Sequence, residues 1–154
     1  IVKGEAEIML RIRHERGCYG GAALPEPVEF DCGEGELVPG DWSRVEGLES
    51  YSGGILFRKE IVVPPFASGT RISLDLGGVA SSAEVFVNGQ SCGVSIAPPW
   101  RWDIGSSVRP GSPNRIEVLI FNTLANHYLT IPTRYRGSPV SGLMGPVRLV
   151  MERR

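Results

Sequence analysis

Apolar and polar residues alternate in short segments along this chain, and glycine- and proline-rich turns separate the segments. The clearest is 71–76, in which Ile72, Leu74 and Leu76 occupy every second position, as in a β-strand that buries one face. Segment 115–122 is the most apolar, so we expect it to be a central strand covered on both faces. Comparable segments lie at 5–13, 54–63, 83–87, 91–96 and 146–152. The pattern predicts an all-β fold of about eight short antiparallel strands, arranged as a jelly-roll β-sandwich.

Turn and helix signals agree with this fold class. The Asn-Gly pair at 88–89 tolerates a positive φ at both central positions of a turn, so it predicts a two-residue β-hairpin. Gly142 and Gly145 are expected to supply backbone conformations that other residues disfavour. The one helix candidate of note is 43–49, with Ser43 as its N-cap.

Length and charge narrow the class of protein. The 154 residues fit one domain, 1–154, in which 50–152 is the recognisable sandwich and 1–49 a less defined N-terminal strand and lead-in loop. A net charge of −1 gives no electrostatic reason to bind nucleic acid or an anionic membrane. No apolar run approaches the ~20 residues that span a bilayer. Because the chain starts at Ile1, directly in strand-like sequence, we expect a domain excised from a larger multi-domain protein.

Metal and disulfide signals are weak. The three cysteines are Cys18, Cys32 and Cys92, and no Cys-x-x-Cys or His-x-x-x-His spacing is present, so no zinc site is predicted. Three unpaired thiols are favoured over a Cys18–Cys32 disulfide, which the sequence leaves open. The acidic loop 17–41 has carboxylates that suit calcium, although a solvated loop is the favoured interpretation. We therefore predict no cofactor, with a structural calcium ion as the open alternative.

Several motifs, taken in their order along the chain, resemble a known domain. Tyr-x-Gly before a strand with Arg-Lys, then Val-Phe-Val-Asn-Gly, then Pro-Asn before another strand occur in segments 51–61, 83–89 and 113–118. This order resembles the galactose-binding-domain-like, sugar-binding β-sandwich of glycoside hydrolase family 2. Segments 97–104 and 121–127 are more similar to the equivalent domain of large bacterial α-L-rhamnosidases, and 141–147 fits both groups.

The resemblance implies a non-catalytic carbohydrate-binding or accessory domain of a larger glycoside hydrolase. Such enzymes hold their catalytic carboxylates in a separate barrel domain, and glycoside hydrolysis generally needs two carboxyl groups about 5 to 10 Å apart. Two pairs suggested by composition are Asp103 with Glu84 and Glu46 with Glu49. No spacing supports either pair, so no catalytic residue is predicted. The implied partners are carbohydrate and a neighbouring catalytic domain of the same polypeptide, in a secreted or periplasmic bacterial enzyme.

Two tryptophans supply the first set of candidate sugar contacts. Trp100 and Trp102 are two positions apart, so in a strand both rings share one face while Arg101 points away. Aromatic rings stack on the apolar face of a pyranose. Core packing or an interdomain contact is nevertheless the favoured interpretation of such a pair.

The long loop 123–141 supplies the second set, because loops of this length are uncommon unless they are functional. Its candidate carbohydrate-binding residues are Asn126, His127, Tyr128, Arg134 and Tyr135. Packing of the loop on a neighbouring domain is an equal alternative. Two other functions also stay open: a purely structural interdomain scaffold that binds no sugar, and an independent lectin-like module.

Overall fold

The computed structural model describes residues 37–129, 132, 134 and 137–153. In this part of the chain, the all-β prediction is confirmed. The strands are β1 (Gly40–Asp41), β2 (Gly54–Val62), β3 (Thr70–Asp75), β4 (Ser82–Val87), β5 (Gln90–Ser95), β6 (Arg101–Asp103), β7 (Pro113–Phe121), β8 (Gly142–Leu143) and β9 (Arg148–Arg153). The helical segments are a 3-10 helix at Trp42–Arg44 and the four-residue α1 at Ala125–Tyr128.

The strands pair into two larger antiparallel sheets and one small one. The four-stranded sheet has the order β2–β7–β4–β5, and the three-stranded sheet has the order β6–β3–β9. A short ladder joins β1 to β8, with Gly40 opposite Leu143. Strand β7 lies between β2 and β4, which confirms its expected central position.

One hydrophobic core contains residues from the inner faces of both larger sheets. Ile72 and Leu74 of β3 are buried in it together with Val85 of β4 and Ile120 of β7. These residues occupy alternate strand positions, so the alternation of the sequence places them together on the inner faces. The covering of β7 is less complete than expected, because Phe121 is exposed on its outer face.

The Asn88 hairpin forms as predicted and closes one end of the sandwich. Asn88 has φ +53° and Gly89 has φ +82°, so both central positions are left-handed. The Asn88 side chain also donates to the carbonyl of Ser107 at 2.8 Å and to Oδ1 of Asn114 at 2.9 Å. This end, defined by Asn88 and Asn114, is called the hairpin end below.

The helix prediction for 43–49 is wrong. The helix is a single 3-10 turn, Trp42–Arg44, and its N-cap is Asp41 rather than Ser43. The Asp41 carboxylate accepts from the N–H of Ser43 at 3.1 Å and from its hydroxyl at 2.7 Å. A carboxylate is a strong acceptor at a helix start, and the chain becomes extended again at Val45, so the turn does not continue.

Several sequence-based predictions lie outside the described residues. They are the strand at 5–13, the acidic loop up to residue 36, and the pairing of Cys18 with Cys32. The candidate Tyr135 also lies outside them. Cys92 is described and is a half-buried thiol that forms no disulfide.

Candidate functional site

Side-chain hydrogen bonds join the two ends of segment 123–141. Asn122 follows β7 directly, and its Nδ2 donates to Oγ of Ser141 at 2.9 Å and to the carbonyl of Tyr51 at 2.8 Å. Its Oδ1 accepts from the N–H of Gly53 at 2.7 Å. One amide therefore connects the end of β7, the start of β2 and the residue before β8. We call this end of the sandwich, defined by Asn122, Gly53 and Ser141, the rim.

Asp41 provides a second anchor for Ser141. Its Oδ1 accepts from the N–H of Ser141 at 3.0 Å, and the N–H of Trp42 donates to the Ser141 carbonyl at 2.8 Å. Burial raises the pKa of Asp41. The hydrogen bonds from Ser43 and Ser141, with the charge of Arg44, outweigh burial and leave that pKa below its ordinary value of 3.8. Asp41 is therefore ionised at neutral pH and holds the rim as a charged acceptor.

Asn126 lies in the interior rather than at the surface. Its side chain is 1% exposed. Its Nδ2 donates to the carbonyl of Glu49 at 3.2 Å, and its Oδ1 accepts from Oγ of Ser141 at 3.2 Å. Because both ends of the amide have partners within the chain, Asn126 ties α1 to Glu49 and Ser141 and offers no open surface to a ligand.

The outer side of the same segment carries the other described candidates. His127 and Arg134 are exposed, and Tyr128 is half-buried. The rings of His127 and Tyr128 meet edge to face, with their centroids 5.7 Å apart and an interplanar angle of 63°. Of the candidates in this segment, His127 and Arg134 are the described residues most open to solvent.

The two tryptophans lie in the hydrophobic core. Trp100 and Trp102 are 9% and 6% exposed, and their rings stack with centroids 6.5 Å apart. The indole N–H of Trp102 donates to the carbonyl of Gly93 at 2.9 Å. Arg101 between them is exposed, as the two-residue spacing predicts. Core packing, the interpretation favoured from the sequence, describes both rings in this chain.

Two rim-forming residues, Asp41 and Ser141, were not among the sequence-based candidates. The sequence places them 100 positions apart, and only the pairing of β1 with β8 brings them together. The available signal was the closing segment 141–147, because the resemblance placed it in both related groups of enzymes.

The described residues contain no group of three or more His, Cys, Asp and Glu side chains arranged to hold a metal ion. In the same part of the chain, neither helical segment has the length and apolar character needed to cross a lipid bilayer.

Comparisons with known proteins relate this chain to parts of larger enzymes. No protein-family model matches the chain. A putative beta-glucuronidase from Formosa agariphila is 35% identical over 92 residues, which is 57% of this chain and 8% of that protein. Among solved structures, a rhamnosidase from Novosphingobium sp. PP1Y is 32% identical with a TM-score of 0.63, covering 74% of this chain and 12% of that one. A putative beta-galactosidase from Bacteroides fragilis is 28% identical with a TM-score of 0.55, covering 67% and 16%.

The chain is thus a β-sandwich of the kind found within large glycoside hydrolases. The resemblance to the sandwich domain of family 2 and rhamnosidase-type enzymes is confirmed. The chain spans only 8% to 16% of the length of these relatives, the size of one domain among several.

Proposed function

We propose that this chain is a non-catalytic accessory β-sandwich of a larger glycoside hydrolase. We further propose that segment 123–141, which begins and ends at the rim, contacts carbohydrate at the edge of a neighbouring active site. The observation that carries the proposal is the anchoring of that segment. Its two ends are tied by Asn122 and Ser141, while His127 and Arg134 remain exposed between them. Exposed polar residues on a loop that rests on a rigid scaffold are a common arrangement for binding.

The chemistry of the exposed residues suits sugar hydroxyls. The Arg134 guanidinium has five N–H donors in a fixed fork, and the His127 ring has both a donor and an acceptor when neutral. The His127 ring is also held against Tyr128, which limits its rotation. Both side chains can therefore hydrogen-bond a hydroxyl-rich ligand.

One of the two carboxylate pairs suggested by composition, Glu84 with Asp103, supports a non-catalytic role. Glu84 lies on the outer face of the four-stranded sheet and accepts from Ser91 at 3.0 Å. Asp103 lies on the outer face of the three-stranded sheet and pairs with Arg71 at 3.2 Å. Because the core separates these two outer faces, Glu84 and Asp103 cannot act on one glycosidic bond.

A purely structural scaffold is the second candidate, and the burial of Trp100, Trp102 and Asn126 favours it. On this account the sandwich braces a catalytic domain and its rim contacts only protein. The two candidates differ in what the exposed rim side chains do to substrate binding, which kinetics can measure.

The test uses the complete polypeptide with Arg134→Ala and, as a matched control, Arg109→Ala. Arg109 is also exposed, but it lies at the hairpin end, beyond the start of β7 and roughly 30 Å from the rim along that strand. The proposal predicts that Arg134→Ala raises KM about tenfold, the loss of one hydrogen bond to a sugar, and that Arg109→Ala leaves KM unchanged. Equal KM values in both variants would favour the scaffold.

A further inference from the structure

The two outer faces of the sandwich differ in chemistry. On the three-stranded sheet, charged side chains form ion pairs across the strands. Arg101 pairs with Asp75 at 3.3 Å and with Glu152 at 3.4 Å, and Arg71 pairs with Asp103 at 3.2 Å. These partly exposed ion pairs are solvated, so the outer face of the three-stranded sheet needs no covering surface.

The outer face of the four-stranded sheet instead carries an apolar band, which we define as Leu56, Phe86, Val94, Leu119 and Phe121. Register places these residues on neighbouring strands: Leu56 is opposite Leu119, and Leu119 is opposite Glu84, which in turn is opposite Val94. Leu56, Phe121 and Val94 are 46%, 47% and 64% exposed. Glu84 interrupts this row on β4, and Phe86 lies in the next row, diagonal to both Leu119 and Val94. Single exposed apolar residues are ordinary, but apolar side chains that reach all four strands of one sheet through such neighbours mark an interaction surface.

Phe121 is held in place on this face. It lies opposite Gly54, and its ring covers the position where a side chain of Gly54 would stand, because a Cβ there would be 2.7 Å from a ring carbon. The ring is therefore packed on the backbone of β2 while about half of its surface stays open. A rigid, half-open aromatic side chain costs little conformational entropy when a second surface covers it.

A row of charges borders the band. Glu117 is inserted between Arg58 at 3.1 Å and Arg115 at 3.2 Å, and its side chain is only 10% exposed. An apolar centre beside a polar, ion-paired edge is the usual composition of a protein–protein interface. The border has two arginines and Glu117, and Glu84 lies within the band, so two charges of each sign leave the face without a strong net charge that would favour an ionic ligand.

We propose that the apolar band is the surface on which another domain of the same polypeptide packs. This inference rests on the proposed function, since the neighbour is a further domain of the parent enzyme. This chain covers only 12% of the matched rhamnosidase chain, so most of a comparable polypeptide lies outside this sandwich. A covalently linked neighbour has a high effective concentration, so even a band of this modest size is enough to keep it docked.

Two valines of equal exposure provide an internal measurement. Val94 in the band is 64% exposed, and Val62 at the far end of β2 is 63% exposed. Val62 is separated from Leu56 by about 20 Å along the strand, beyond the row of charges. In hydroxyl-radical footprinting of the complete polypeptide, the inference predicts that Val94 is labelled at least about fivefold less than Val62, and that Leu56 and Phe121 are protected together with Val94.

A pair of variants tests whether the band itself causes the protection. Val94→Glu should restore the labelling of Leu56 and Phe121 by severalfold, because it places a second carboxylate directly opposite Glu84 in the covered face, whereas Val62→Glu should leave their labelling unchanged. Equal labelling of Val94 and Val62 in the unaltered polypeptide would overturn the inference. Protection that disappears on dilution would assign the band to a second copy of the chain and would also overturn it.

Measurements on the complete polypeptide also distinguish a failure of this inference from a failure of the proposed function. If the complete polypeptide hydrolyses glycosides and its band is labelled fully, only the docking surface is wrong. If the reading frame encodes no domain besides this sandwich, the proposed function fails, and the docking surface fails with it.

Discussion

Nδ2 of Asn122 donates a hydrogen bond to Oγ of Ser141 at 2.9 Å, across 19 positions of the sequence. The bond joins the end of the central strand β7 to the residue before β8, so the segment between them leaves and re-enters the sandwich at one point. The carbonyl of Tyr51 and the N–H of Gly53 occupy the remaining groups of the same amide. Asn122 therefore provides three of the hydrogen bonds that hold the rim together.

Asn122→Ala should destabilise the domain by about 2 to 4 kcal/mol, because it removes these hydrogen bonds and leaves partly buried backbone groups without partners. Urea unfolding followed by tryptophan fluorescence measures the change. Thr123→Ala is the control, since the Thr123 hydroxyl is exposed and accepts a long bond from Ala125 at 3.3 Å. A loss of stability at Asn122 no larger than that at Thr123 would argue against a central role for this amide.

Trp102→Ala should cost about 3 to 5 kcal/mol, as expected for removing a large aromatic side chain from a packed core. Arg101→Ala, which changes the exposed residue between the two stacked rings, should cost less than about 1 kcal/mol because its ion pairs are exposed. Thermal unfolding of both variants gives the comparison. A Trp102→Ala variant with unchanged stability would indicate a surface role for the ring.

Gly142→Ala should destabilise the domain more than a Gly→Ala change whose only cost is an unfavourable backbone conformation. Gly142 has φ +129°, and a Cβ there would collide with the Gly40 carbonyl and touch the Trp42 ring at 3.0 Å. Gly89 has φ +82° but open space around it, so Gly89→Ala isolates the conformational cost of about 1 kcal/mol. Equal losses of stability would show that the ladder between β1 and β8 adjusts freely.

Acid should weaken the rim through Asp41. Its pKa in the folded chain lies below that of the unfolded chain, so the folded state binds fewer protons near pH 4 and stability rises with pH there. The contribution is complete above the unfolded pKa and is lost as the pH falls through the folded one. Asp41→Asn should therefore be less stable than the parent at pH 7, and the difference should shrink at pH 3. A difference that is the same at both pH values would contradict this account.

How far the sequence predicts the structure depends on how local each feature is. The alternation in 71–76 predicted strand β3 because apolar residues at every second position lie on one face of a strand. The Asn88 turn followed from two adjacent residues. The helix at 43–49 failed for a local reason as well, since Asp41 caps a shorter turn than the pattern indicated.

The rim could not be predicted from the sequence, because its residues come together only when the strands pair. Asp41 and Ser141 are 100 positions apart, and no periodicity connects them. The tryptophans show a different limit: their spacing predicts a shared face, but only the packing of the two sheets reveals that this face is buried. Which residues stay open for a ligand is therefore decided by the assembled fold.

We propose that this sandwich serves a larger glycoside hydrolase without performing the chemistry itself. The most direct measurement compares hydrolysis of aryl α-L-rhamnosides, β-D-glucuronides and β-D-galactosides by the 154-residue chain and by the complete polypeptide at equal molar concentration. The account predicts turnover of at least one substrate by the complete polypeptide and none by the isolated chain. Turnover by the isolated chain at a comparable kcat would contradict it.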